Sequence, residues 1–274
     1  MICCRYFRIF FFNWETDQFS TKSEWQDIDG KGNSIREFVT RERGRCLFRS
    51  GNEGDCSFFR NNMCDLQIRH GKDAMPSVCR TYPRVISRMP GRLEYALDPC
   101  CPAVAFSAQN WTTGHFTVEG DGPQPSDPDF IRRKSVLDSL ADSGIPLDKC
   151  LEQFADEYNT GIKDIHIGLE GRKLEFARKM TALLIWSCIP SYEGYPTIDN
   201  IASFIISVIQ KLADRLSTFK SDDWKEMSLL FCDLLIRMEN EAGIEEDVEE
   251  KYIDIDENGL PRPYPGQWKT ETHS

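Results

Sequence analysis

Cys56, Cys64, Cys79 and the adjacent pair Cys100-Cys101 stand among arginines and turn residues, and a second adjacent pair, Cys3-Cys4, opens the chain. Eight of the 11 cysteines lie in the first 101 residues. Thiolates are soft donors, and four of them at tetrahedral directions hold zinc or an iron–sulfur cluster. The spacings here are not those of a zinc finger or ribbon, so the expectation rests on the clustering and the pairs. Two adjacent cysteines rarely bind one ion together, so Cys3 or Cys4, and Cys100 or Cys101, would each supply one main ligand. His70 lies between Cys64 and Cys79 and reads as a surface or hydrogen-bonding residue before a ligand. Cys150, Cys188 and Cys232 fall in helical patterns and read as small core residues.

Charge surrounds the cysteine stretch unevenly. Between residues 36 and 92 there are 12 arginines and lysines against six acids, whereas residues 239 to 274 hold 11 acids against three bases, within a net charge of −11. Guanidinium groups near a thiolate centre offset its negative charge. Alternatively, Arg80 and Arg84 present a cationic surface to an acidic protein or to the carboxylate of a cofactor. Nucleic-acid binding is excluded as a leading class, because the aromatics here do not interleave with the bases as a stacking platform requires. Neither Gly30-Lys31-Gly32 nor Gly120-Asp121-Gly122-Pro123 stands between a strand and a helix, so both read as turns. Four histidines and no nucleophile motif leave hydrolytic triads unsupported.

The elements that must position these residues differ along the chain. Tyr6 to Trp14 favours a strand, and Ser34 to Arg43 has the start of a capped helix, with Ser34 as N-cap and Glu37 three residues on. Cys46 to Phe48 and Cys56 to Phe59 suggest a hairpin, and Cys64 to Ile68 is a short alternating piece. Pro76 precedes a short helix that Pro83 ends, and Leu93 to Leu97 reads as a strand leading into Asp98-Pro99-Cys100-Cys101-Pro102. Elements this short cannot build an independent core, so a metal would supply the missing stability.

After a Gly-, Pro- and Asp-rich stretch the texture is helical. Apolar stripes mark helices over 129–143, from Pro146 through Phe154, and over 171–188, 198–216 and 224–238. Glu239 to Glu257 carries ten acids and one lysine ahead of Pro261, Pro263 and Pro265, a composition that lacks a fixed fold.

The expected architecture is mainly α, with a small irregular α+β cysteine-rich metal-binding module over residues 1–113 and a linker over 114–128. A C-terminal helical bundle follows over 129–240, then an acidic, proline-containing tail over 241–274. The early apolar run Ile9 to Phe12 is too short for a signal peptide, and no uncharged run approaches transmembrane length. These features place the chain in a reducing cytoplasm, without a membrane partner.

At Cys79-Arg80-Thr81-Tyr82-Pro83-Arg84 the sequence resembles the flagellin lysine N-methylase family, whose N-terminal part belongs to the zinc- or iron-chelating cysteine-cluster domains. The matching pieces also include Cys3-Cys4 before an aromatic strand, Cys56-Ser57-Phe58-Phe59, Cys64-Asp65-Leu66-Gln67-Ile68-Arg69 and Leu97-Asp98-Pro99-Cys100-Cys101-Pro102. The resemblance covers residues 3 to 106 and extends loosely into the helices from Phe130-Ile131-Arg132. It implies an iron–sulfur centre, of the 4Fe-4S kind, or zinc. It also implies methyl transfer from S-adenosylmethionine to lysines of flagellin or another protein. By this match the metal ligands are Cys4, Cys64, Cys79 and Cys101, with Cys3 and Cys56 next, while Cys46 and Cys100 have no counterpart. Tyr82, Arg80 and Arg84 are the catalytic candidates it suggests. The family pattern has a further cysteine a few residues before the first pair, where this chain has Met1 and Ile2. The alternative is a non-enzymatic module whose zinc or iron is structural and whose helical half binds a partner.

Overall fold

Two residues separate a strand at Val39–Glu42 from one at Arg45–Phe48, and this short connection sets the first pairing of the chain. The computed structural model describes residues 10–11, 28, 31–42, 45–49, 56–61, 63–89, 92–113, 118–119, 128–191 and 198–242. The chain is mainly helical with small antiparallel sheets, and it forms two compact units, one within Met1–Tyr82 and the other within Pro83–Asp256.

In the first unit, β1 (Phe10–Phe11), β2 (Val39–Glu42) and β3 (Arg45–Phe48) form an antiparallel sheet in the order β1-β3-β2. Cys46 on the central strand lies opposite Phe11 on one side and Arg41 on the other. The capping box expected at Ser34 is present: Arg36 N–H donates to Ser34 Oγ at 3.2 Å and Ser34 N–H to Glu37 Oε1 at 3.1 Å. The helix it opens is one 3-10 turn, Ile35–Phe38, and not a run to Arg43. Val39 and Thr40 are β-branched, stiff at χ1, and gain a ladder by joining β3.

The hairpin expected between 46–48 and 56–59 gives way to this pairing, because closing a two-residue connection costs less chain entropy than closing a longer one. Phe59–Arg60 (β4) instead pairs with Met63–Cys64 (β5) around Asn61, whose positive φ suits an Asn turn. Cys64 to Ile68, read as an alternating piece, is the start of helix α1 (Asp65–His70). Asp65 in its first turn and Arg69 and His70 in its last complement the helix dipole, and Asp65 pairs with Arg69 at 3.4 Å. Pro76 then caps α2 (Ser77–Thr81).

The second unit opens with the hairpin β6 (Arg84–Met89) and β7 (Arg92–Leu97), to which β8 (Val118–Glu119) adds. A short helix α3 (Pro102–Ser107) follows, then α4 (Pro128–Ala141), α5 (Leu147–Glu157), α6 (Gly171–Ser191), α7 (Ile198–Thr218) and α8 (Trp224–Ala242). All five helices expected after residue 128 are present. α6 is the hub, buried continuously from Phe176 to Ser187 and packed against α4, α7 and the β6–β7 hairpin. Helix α7 packs also on α5 and α8, and α8 on α3.

Three cations on α6 reach carbonyls that helix ends would otherwise leave unsatisfied. Lys173 Nζ donates to Leu216 O at 2.7 Å, and to Phe219 O, at the end of α7. Arg178 donates to Leu140 O in the last turn of α4 and to Asp142 O and Ile145 O just beyond it, the first two at 3.1 and 3.3 Å. Lys179 Nζ donates to Gln109 O at 3.0 Å in the turn after α3. Two indole N–H groups add to this, Trp186 to Tyr95 O at 3.0 Å and Trp224 to Ala105 O at 2.9 Å. Among the described residues, no helix is long and apolar enough to cross a membrane. The expected linker lies outside the described residues apart from 118–119 and Pro128, as does the tail from residue 243 onward.

Candidate metal centre

The first unit buries a small core of Ile28, Ile35, Cys46, Phe48, Phe58, Cys64, Leu66 and Met75, with Phe38, Val39, Cys56, Val78 and Cys79 packed against it. Each of its four cysteines comes from a different piece of chain. Cys46 belongs to β3, and its neighbour Phe48 meets Phe58 edge-on at 4.9 Å. Cys56 is brought near the end of β3 by Ser57 N–H, which donates to Arg49 O at 3.1 Å, and its own carbonyl accepts from Phe59 N–H at 2.8 Å. Cys64 closes β5 and is the N-cap of α1, held there by Asp65 N–H to Phe58 O at 2.7 Å. Cys79 rides on α2, whose backbone bonds run from Arg80 N–H to Pro76 O at 3.0 Å and from Tyr82 N–H to Val78 O at 2.9 Å.

Cys56, Cys64 and Cys79, three of the expected ligands, therefore share one core, joined by Cys46, which had no counterpart in the motif series. The nine described cysteines are thiols. Soft thiols in an apolar setting are the right donor chemistry for zinc or iron. Among the described residues, no three Cys, His, Asp or Glu side chains are disposed as they stand to hold a metal ion. His70 takes the hydrogen-bonding role read for it, its Nε2 lying 3.3 Å from Ile28 O.

The described part of the first unit also carries the exposed bases Arg36, Arg41, Arg49, Arg60, Arg69 and Lys72. Arg60 and Arg69 both approach Asp65, at 3.7 and 3.4 Å.

The remaining expected ligands lie elsewhere. Cys3 and Cys4 are outside the described residues, and Cys101 belongs to the second unit. There the Asp98-Pro99-Cys100-Cys101 turn is fixed from both ends. Asp98 N–H donates to Pro83 O at 2.7 Å, the Asp98 carboxylate accepts from Cys100 N–H at 2.8 Å, and Cys101 N–H donates to Asp98 O at 3.1 Å. The Cys101 carbonyl then starts α3 by accepting from Val104 and Ala105 N–H. Cys232 Sγ donates to Pro99 O at 3.6 Å, and Cys100, Cys101 and Cys232 are all buried. Burial pushes the Asp98 carboxyl up to about 6, against the opposing pull of its bonds to Cys100.

Of the catalytic candidates, Arg80 is exposed on α2 and Tyr82 is half-buried at its end, both in the first unit. Arg84 is exposed at the first position of β6, in register with Leu97 of the second unit.

The second unit also holds a buried ion pair that motif reading passed over. Arg133 and Glu94 are each 2% exposed and directly hydrogen-bonded, with the guanidinium 4.7 Å from the Trp186 ring centre and 5.6 Å from that of Phe130. A signal existed: Arg133, Val136, Leu137 and Leu140 occupy one helical stripe, so the arginine stands where a core residue belongs. In its place Ile131 is 54% exposed. No family model, no curated protein and no solved structure matches this chain.

Proposed function

We propose that the chain is a cysteine-cluster metalloprotein whose N-terminal thiols hold an iron–sulfur cluster or zinc. The observation that carries this reading is that Cys46 and Cys64 belong to a single small core and Cys56 and Cys79 pack against it, so four separate segments each bring a thiol to that core. No strand of that unit exceeds four residues and no helix exceeds six among those described. Below a certain size a core of side chains alone does not hold such pieces together, and a thiolate-bound metal supplies folding energy by joining them. The reducing cytoplasm, where thiols persist as metal ligands, is the proposed location.

The activity proposed is the one implied by the motif series: methyl transfer from S-adenosylmethionine to lysine side chains of flagellin or another protein substrate. In that reaction a neutral lysine nitrogen forms a bond to the methyl carbon, the carbon–sulfur bond breaks, and the thioether leaves as the nitrogen sheds a proton. Tyr82, Arg80 and Arg84 are the residues proposed to serve it, the arginines as partners for the carboxylate of the sulfonium co-substrate. The short elements of the first unit favour a second reading, in which the metal is structural and the helical unit binds a partner.

Metal analysis and visible absorbance of the purified full-length protein test the first statement. Iron with a broad brown absorbance supports the cluster, whereas a colourless zinc protein favours the second reading. Preparations made without air or chelator that carry neither metal refute both. Incubation with methyl-labelled S-adenosylmethionine and flagellin, or a cell extract, tests the activity. An intact cluster with no label on any lysine removes the enzymatic assignment.

A further inference from the structure

We infer that a face of the first unit built from Arg60, Met63, Ile68 and Arg69 is a docking surface for a peptide that mixes acids with aliphatic residues, and that residues 252–257 of this same chain occupy it. The inference does not draw on the metalloprotein reading. Met63 and Ile68 are 52% and 59% exposed, and among the described residues of Met1–Tyr82 they are the two large apolar side chains left in water to this extent. One basic cluster joins them. Met63 stands directly opposite Arg60 in the β4–β5 ladder, and opposite residues of an antiparallel pair turn their side chains to the same face. Arg60 reaches the Asp65 carboxylate at 3.7 Å, and Arg69, one turn along α1, reaches it at 3.4 Å. Ile68 is three residues from Asp65 on that helix, the spacing of helical neighbours, and two from the buried Leu66, which puts it on the opposite side. Two guanidinium groups share one carboxylate here, so the face keeps a net positive charge beside its exposed apolar surface.

The occupant follows from complementarity. Residues 239–274 hold 11 acids against three bases, and within them Tyr252-Ile253-Asp254-Ile255-Asp256-Glu257 sets a tyrosine and two isoleucines among three acids, with no base. This is the inverse of a face that sets aliphatic side chains among guanidinium groups, and carboxylates pair well with guanidinium forks. Exposed ion pairs contribute little one at a time, so burial of Met63 and Ile68 against the isoleucines supplies the rest of the attraction. A segment of the same chain also meets the face at an effective concentration that reaches the millimolar range for short tethers, which favours it over a separate weak ligand.

The test uses the full-length chain with photoreactive benzoylphenylalanine in place of Ile68, irradiated at low protein concentration and mapped by mass spectrometry. The expected product is a link within one chain from position 68 to residues 252–257. The same probe in place of Ile131, which is 54% exposed on α4, should not capture that segment. Asp254→Lys with Asp256→Lys should lower the yield at position 68 by roughly two- to fivefold, the effect of losing one or two exposed ion pairs. In a chain whose Ile68 is untouched, the same two substitutions should speed amide exchange in residues 63–70 by a similar factor, a readout that does not need the probe. Links from position 68 that miss residues 252–257, links that join two chains, or equal capture of the segment from position 131 overturn the docking. So does an Asp254→Lys, Asp256→Lys chain whose amide exchange in residues 63–70 matches the parent's.

Discussion

Replacing Arg133 by methionine leaves the Glu94 carboxylate at 2% exposure without the guanidinium that answers it. Leaving one charge of a buried pair uncompensated costs about 3–5 kcal/mol. The cation also sits over the Trp186 ring at 4.7 Å, and a desolvated contact of that kind contributes up to about 2 kcal/mol more. Against the 5–15 kcal/mol typical of a whole domain, the larger end of this range approaches complete unfolding. The double variant Arg133→Met with Glu94→Leu removes both charges and keeps apolar volume, so it should lie within about 1 kcal/mol of the parent, or above it. Urea unfolding followed by tryptophan fluorescence suits the measurement, because Trp186 touches the pair and its N–H bonds Tyr95 O. If Arg133→Met costs less than about 1 kcal/mol, or the double variant is as weak as the single, the pair is not the buried keystone described here.

Three further outcomes follow from the same unit. The Asp98 carboxyl is raised from 3.8 to about 6 by burial, so the folded state holds its proton more tightly than the unfolded chain. Its contribution is fully present below about pH 4 and is lost as pH rises through about 6, a fall of roughly 1–3 kcal/mol. Asp98→Asn, which can still accept from Cys100 N–H, should flatten that dependence and be the more stable protein at pH 7 by a similar amount, as urea melts at pH 4 to 7 will show. Arg178→Gln strands carbonyls at Leu140, Asp142 and Ile145 and should cost about 1.5–3 kcal/mol, read as a lowered urea midpoint. Trp224→Phe removes the donor to Ala105 O at 2.9 Å and should cost about 1–3 kcal/mol, with faster amide exchange in α3.

The helices after residue 128 were legible because their stripes repeat over many turns. Leu147, Leu151 and Phe154 of α5, and Ile201, Ile205, Val208, Ile209 and Leu212 of α7, are buried as their spacing requires. The Ser34 capping box was legible for the same local reason, since its donors and acceptors lie within three residues. Length was not. The 3-10 turn ends at Phe38 because Val39 finds a partner in Phe48, a choice made by the neighbouring strand. The alternation at Cys64 to Ile68 misled because only Leu66 of α1 is buried, and one anchor defines no period. The strand β6 at Arg84–Met89 escaped notice, its arginines masking a pattern that β7 completes from across the ladder.

For the candidate site, the clustering of thiols among arginines was enough to single out Cys56, Cys64 and Cys79 as candidate donors. Only the tertiary structure decided which thiols share a core. Cys46 reaches the same core as those three because β3 is the central strand of its sheet, and Cys101 starts a helix in the other unit. Likewise the stripe marks the position of Arg133 as inward, but only packing supplies its partner, a glutamate from a strand 39 residues earlier. Local sequence carries propensity, capping and period, which act over a few residues. Desolvation and charge pairing depend on what the rest of the chain places alongside.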